Sequence, residues 1–144
     1  MLTLDKAKDK ELIDFYKMSK QQHIGTALNE KSLKQFQDEF HAENLVYMSI
    51  YKDGILAGYL LLSLEKEEKL HLKRIVIDQE HLGIGLSVLH KVEAYAKKLN
   101  KNYIWLDVYA DNKRAIKLYE KAEYRCYDRG IENGCEVWFF EKDM

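Results

Sequence analysis

The residues best suited to hold a ligand are Gly83, Ile84 and Gly85, because of what lies on either side of them. The β-branched run Leu72-Lys73-Arg74-Ile75-Val76-Ile77 before them reads as a strand. After them, Val88, Leu89, Val92, Tyr95, Ala96 and Leu99 recur at the 3.6-residue period of a helix with one buried face. Glycines at a strand-to-helix junction let the backbone come close to a ligand. The first N–H groups of the helix have no partner inside it, so the junction makes an anion site, most often for phosphate.

Other chemistries find less support. The five histidines are dispersed and there is no Cys-x-x-Cys, so no metal-ligand spacing is present. Neither Cys126 nor Cys135 precedes a predicted helix beside a base, as an activated thiolate requires. Both read as reduced thiols filling core space. His71 and Asp107 fall on predicted strands, where a lone ionisable side chain is ordinarily paired or solvated. Tyr119 falls on an amphipathic helix, where a tyrosine is ordinarily a core residue with a polar tip.

These residues need elements to position them. Leu2–Leu4 reads as a short strand, and Lys8–Lys20 and Lys31–His41 as helices with apolar residues at helical spacing. Leu45–Tyr51 and Ile55–Leu64 are β-rich runs joined by Lys52-Asp53-Gly54, a strong hairpin signal because Asp and Gly tolerate positive φ. Strand 70–77, the helix at 86–99 and strand Tyr103–Tyr109 follow. That last strand carries Ile104, Leu106 and Val108 on one face and Trp105, Asp107 and Tyr109 on the other. Asp111 or Asn112 offers an N-cap to a helix bearing Ala115, Leu118, Tyr119 and Ala122. The end reads as a hairpin: Tyr124–Asp128, a loop through Gly130 and Gly134, then Cys135–Phe140. The order β-α-α-β-β-β-α-β-α-β-β predicts an α/β fold with a mixed sheet and helices on both faces.

The chain has 144 residues, which suits one domain over residues 1–144, without proline, repeat or low-complexity linker. Its 47% apolar and 33% charged residues fit a soluble globular protein, and no apolar run reaches the ~20 residues of a membrane span. The opening residues lack the apolar core of a secretion signal, so a cytoplasmic location is expected, without a membrane partner. A net charge of −1 provides no general attraction to nucleic acid, which is not expected as a partner.

The element order resembles the GNAT acyltransferase superfamily. The resemblance is carried by Arg74-Ile75-Val76-Ile77, Gly83-Ile84-Gly85, Trp105-Leu106-Asp107-Val108 and Asn112 through Lys121, with Ala115, Leu118 and Tyr119 between them. It covers residues 70–124 in detail and implies a central sheet of six to seven strands with splayed fourth and fifth strands. It also implies acetyl-CoA as the acyl donor, no metal, and direct acetyl transfer to a primary amine of a small molecule or protein; a homodimer is compatible with it. By the same resemblance, Ile75, Val76 and Ile77 hold the pantetheine arm and one of their amides polarises the thioester carbonyl. Glu80, His81, Leu82, Gly83, Ile84, Gly85 and Leu86 cradle the pyrophosphate, and Asn112 and Ala115 meet the cofactor. Tyr119 becomes a general acid for the departing thiolate, and Asp107 and His71 become the candidate general bases.

Two departures stand out. Glu80 occupies a position where the family carries a basic or amide residue, and a carboxylate beside a pyrophosphate repels it. Anchoring the motif on the strand instead would place Leu82 first and Ser87 last. Glu123-Tyr124 replaces the usual Gly-Phe after the last helix. A weakened phosphate site would fit a second reading: a GNAT-fold module that binds CoA or a protein without turnover. The acceptor has no recognisable signature, and polyamines, protein amines and amino sugars all stay open.

Overall fold

Seven strands form one sheet in the order β1-β2-β3-β4-β5-β7-β6. The computed structural model describes every residue except Gln22 and Gly25, with Thr26 and Ala27 described through the backbone alone. The strands are β1 (Leu2–Lys6), β2 (Leu45–Lys52), β3 (Ile55–Ser63), β4 (Lys69–Ile77), β5 (Tyr103–Tyr109), β6 (Arg125–Glu132) and β7 (Cys135–Asp143). The helices are α1 (Leu12–Met18), α2 (Thr26–Asn29), α3 (Leu33–His41), α4 (Gly85–Lys98) and α5 (Lys113–Lys121), with 3-10 turns at Asp9–Glu11 and Gln79–His81.

Most elements lie where the residue pattern places them, and the exceptions have local causes. The helix expected from Lys31 starts at Leu33, because Ser32 caps it: its hydroxyl accepts from the Gln35 N–H and the Gln35 side chain accepts from the Ser32 N–H. Four residues before it, Thr26–Asn29, form a separate short turn of helix too brief for a periodic signal. The closing hairpin turns at Asn133-Gly134, both at positive φ, so Gly130 lies inside β6 rather than in the loop. Cys126 and Cys135 are both exposed and pair with Phe140 and Glu132 across the hairpin. They neither face each other nor fill core space.

Two apolar layers sandwich the sheet. Beneath α4 and α5, Leu60, Leu62, Leu70, Leu72, Leu89 and Ile104 belong to a largely aliphatic core, and each is at most 2% exposed. Beneath α1 and α3, Phe15, Phe36, Tyr47 and Tyr59 stack into an aromatic one with Leu61 and Val76. β5 alternates as expected: Ile104, Leu106 and Val108 are buried, while Trp105, Asp107 and Tyr109 are half-buried on the other face.

A single irregularity in β4 prepares the site. Leu61 of β3 pairs with Arg74 and Leu62 with Leu72, leaving Lys73 as an unpaired extra residue. The bulge inverts the alternation of side chains. Leu70 and Leu72 face the aliphatic core before it, and Ile75 and Ile77 face that core after it. β4 and β5 pair in parallel only at Lys69–Tyr103, Leu70–Ile104 and His71–Trp105. Beyond these three pairs the strands part.

Candidate active site

Where β4 and β5 part, a cavity of about 490 Å³ opens. That is ample for a ligand-sized group. The Asp78 N–H donates to the Ala57 carbonyl on the β3 side, at 2.8 Å. Backbone groups alternate sides along an antiparallel strand, so the N–H and C=O of Ile77 and of Ile75 point the other way, into the gap. No β5 partner reaches them there. Val76 behaves differently. Its carbonyl turns to β3, where a Cβ on Gly58 would run into it, and its side chain is 1% exposed in the aromatic core.

The glycine loop sits at the end of this strand. β4 stops at Ile77 and α4 starts at Gly85, as the sequence predicts. The N-terminus of α4 has no side-chain cap and no acidic residue in its first turn, so its leading N–H groups are available to an anion. Gly83 takes φ +104°, a conformation that a side chain disfavours. Gly85 has another reason to be glycine: a Cβ there would come within 2.9 Å of Leu118 Cδ2, so it sets the approach of α4 to α5. Glu80 lies on the exposed 3-10 turn, where only its backbone N–H is engaged, by Asp78 Oδ1 at 3.0 Å. Of the loop residues, Leu82 lines the cavity, and Glu80, His81, Gly83, Ile84, Gly85 and Leu86 stand outside its lining.

α5 supplies the far wall. Asn112 is its N-cap, accepting from the Ala115 N–H at 3.2 Å, and both residues line the cavity. Tyr119 is 5% exposed and lines the cavity as well. Its ring lies 6.0 Å from Phe140 and 6.2 Å from Tyr124, while its hydroxyl has no hydrogen-bond partner among the described residues. Burial, and then the negative charge of Asp107, hold the phenol well above its ordinary pKa, so it keeps its proton at neutral pH.

The two candidate bases meet each other. His71 Nε2 donates to Asp107 Oδ1 at 3.0 Å, and the imidazole lies flat on Trp105 with centroids 3.6 Å apart. Asp107 lines the cavity and His71 stands behind it. A second hollow, of about 580 Å³, lies by the β3–β4 turn among Lys66, Trp105, Tyr127 and Phe139. It is larger, but it holds none of the catalytic or cofactor-binding candidates named from the sequence.

The family model of the acetyltransferase (GNAT) family matches residues 10–124. The chain belongs to this family. Solved GNAT-fold structures superpose on it closely. Spermidine N-acetyltransferase from Vibrio cholerae, in complex with CoA and spermine, gives TM-score 0.80 at 16% identity, covering 99% of this chain and 95% of that one. The ribosomal-protein-S18-alanine N-acetyltransferase from Escherichia coli gives 0.82 at 18%, covering 99% and 94%. An aminoglycoside acetyltransferase in complex with coenzyme A and kanamycin gives 0.82 at 18%, covering 99% and 95%. At such identities the likeness establishes the GNAT fold and leaves substrates to the residues of this chain.

Among the cleft residues of this GNAT domain that were not assigned a role from the sequence, one bonds directly to the divergent strand. His23, between α1 and α2, bonds through Nε2 to the Ile77 carbonyl at 2.7 Å, so that nitrogen carries the ring proton. The contact joins positions 54 residues apart, and no local pattern announces it.

Proposed function

We propose that the protein is an N-acetyltransferase that moves an acetyl group from acetyl-CoA directly to a primary amine. One observation carries the reading: the Tyr119 hydroxyl, unpartnered among the described residues, opens on the same cavity as the divergent stretch of β4, where the N–H groups of Ile75 and Ile77 face the gap with no partner on β5. The fit of this chain to CoA rests on the uncapped, acid-free start of α4 and on the strand opening beside it. When bound, acetyl-CoA supplies an activated acyl group on a thiol leaving group.

The remaining work falls to the chain. The N–H groups of Ile75 and Ile77 bind along the pantetheine arm, and one of them donates to the carbonyl oxygen as negative charge grows there. Asp107 accepts the ammonium proton of the acceptor, directly or through water, while His71 holds its carboxylate in place as a positioning residue. Tyr119 delivers its phenolic proton to the leaving sulfur and recovers one from the acetylated nitrogen, directly or through water. The residues around it, Leu118 and Ala115 among them, exclude water from that transfer. The reading extends to a cytoplasmic enzyme: among the described residues no helix is long and apolar enough to cross a membrane. A homodimer belongs to it as well, and sedimentation decides that point.

Tyr119→Phe tests the assignment, because it keeps the ring and removes only the hydroxyl. Turnover should fall by roughly 10²–10⁴-fold with acetyl-CoA affinity unchanged. A stably folded Tyr119→Phe protein with full turnover would pass the proton donor's role to water or another residue.

A further inference from the structure

Resting on the acetyltransferase reading, the geometry points to an acceptor amine that also carries a carboxylate, received by Lys31 and Arg74 at the mouth of the cleft. Both residues line the cavity, and Glu39 lies behind them. Arg74 Nη2 donates to Glu39 Oε2 at 2.9 Å and Nη1 to the Tyr47 hydroxyl at 3.1 Å, while that hydroxyl donates to Glu39 Oε1 at 2.8 Å. Lys31 Nζ comes only within 3.6 Å of the same carboxylate. That is longer than a hydrogen bond, so its three donors stay available. Two cations thus share one anion, and one positive charge is left over.

The side chains of Lys31, Arg74 and Glu39 are 24%, 13% and 16% exposed. At such burial the surplus is poorly screened, and a charged ligand group arriving there gains more than it would on an open surface. Lys31 is also held in place from behind, since the Lys20 ammonium bonds the carbonyls of Asn29 and Lys31. Lys73, the exposed bulge residue, lines the cavity beside Arg74 and adds a further cation.

The sheet decides whose anion this is. The start of α4, suited to the cofactor's phosphates, lies on the face with the aliphatic core. Arg74 lies on the other face, its guanidinium 5.4 Å from the Phe36 ring centroid beneath α1 and α3. The surplus therefore lies on the same face as Asp107, the group assigned to the acceptor's ammonium, and not on the face of α4. The carboxylates among the described lining residues are Asp107 and Glu132, and Asp107 lies across the gap on β5. An acceptor with its ammonium at Asp107 and its carboxylate at Lys31 and Arg74 satisfies both ends. A polyamine would bring positive charge against three cations.

Thiol release at saturating acetyl-CoA separates these cases. One pool holds α-amino acids and short peptides; the other holds their amides and decarboxylated amines, polyamines included. The acid pool should react at least about tenfold faster, the ratio expected of about 1.4 kcal/mol from a charge-assisted contact. Lys31→Met should abolish that preference with CoA affinity unchanged, and Lys31→Arg should retain it. Equal or faster reaction of the second pool overturns the inference, as does a preference that survives Lys31→Met. Loss of CoA binding in Lys31→Met would assign the charge to the cofactor and overturn it equally. A chain that binds CoA and acetylates no amine of either pool removes the transferase reading, and this inference falls with it.

Discussion

Four tyrosines are buried among the described residues, and they divide sharply. Beneath α1 and α3, Tyr47 bonds Glu39 and Arg74, and Tyr59, 0% exposed, shares a 2.6 Å hydrogen bond with Ser19. Beneath α5, Tyr124 bonds Glu93 at 3.1 Å, and Tyr119 bonds nothing. Buried hydroxyls are normally paired because desolvation otherwise goes uncompensated. The aromatic side of the sheet follows that rule, and the cleft side departs from it at Tyr119, which lines the cavity. Of the four tyrosines, the three paired hydroxyls tie elements of the fold together, and the unpaired one belongs to a residue that lines the cavity.

The largest effect should appear on the aromatic side. Arg74→Met leaves Glu39 and Tyr47 without their main partner in a mostly buried setting. Stability should fall by about 3 kcal/mol, the low end for a broken buried pair because Lys31 stays near the carboxylate. Urea unfolding measures it. A loss under about 1 kcal/mol would place the pair among ordinary surface ion pairs and weaken the contrast between the two regions.

A matched pair of deletions sharpens the contrast further. Tyr59→Phe removes one hydrogen bond, and Ser19 keeps its other one, to the Phe15 carbonyl at 2.8 Å. That should cost about 1 kcal/mol. Tyr119→Phe removes a hydroxyl that bonds to no described residue, and should cost less than about 0.5 kcal/mol. Thermal melts of the two variants compare them directly. Equal losses would mean that Tyr119 has a structural partner after all, an ordered water included.

How much of this was legible in the sequence depended on the range of the signal. The strand–glycine–helix junction, the Asp53-Gly54 hairpin and the alternation of β5 are written in neighbouring residues, and each was found where expected. The parting of β4 from β5 was reached only through family resemblance. Its physical cause, the bulge at Lys73, needs a register between strands that no local pattern encodes. Gly85 also packs against Leu118 of another helix, a constraint that the local glycine pattern does not announce. His71 and Asp107 were named separately as bases, and only the fold places them 3.0 Å apart. The Arg74–Glu39–Tyr47 cluster draws on three elements and carries no motif.

A further effect, of opposite sign, concerns the position of Tyr119 itself. α5 ends in a Schellman motif: the Glu123 N–H bonds the Glu120 carbonyl at 3.0 Å, and the Tyr124 N–H bonds the Tyr119 carbonyl at 2.9 Å. Such an ending needs a left-handed residue at its turn. Here Glu123 takes φ +69°, where a glycine sits at no steric cost. Glu123-Tyr124 stands where the GNAT resemblance leads one to expect Gly-Phe, and the backbone keeps the glycine's conformation all the same. Glu123→Gly should therefore stabilise the protein by about 0.5–1 kcal/mol, the steric relief exceeding the extra entropy of an unfolded glycine. Since Glu123 is exposed and outside the cavity lining, turnover should not change. A melting temperature that falls on this substitution would show that the carboxylate, rather than the left-handed turn, is what this end of α5 requires.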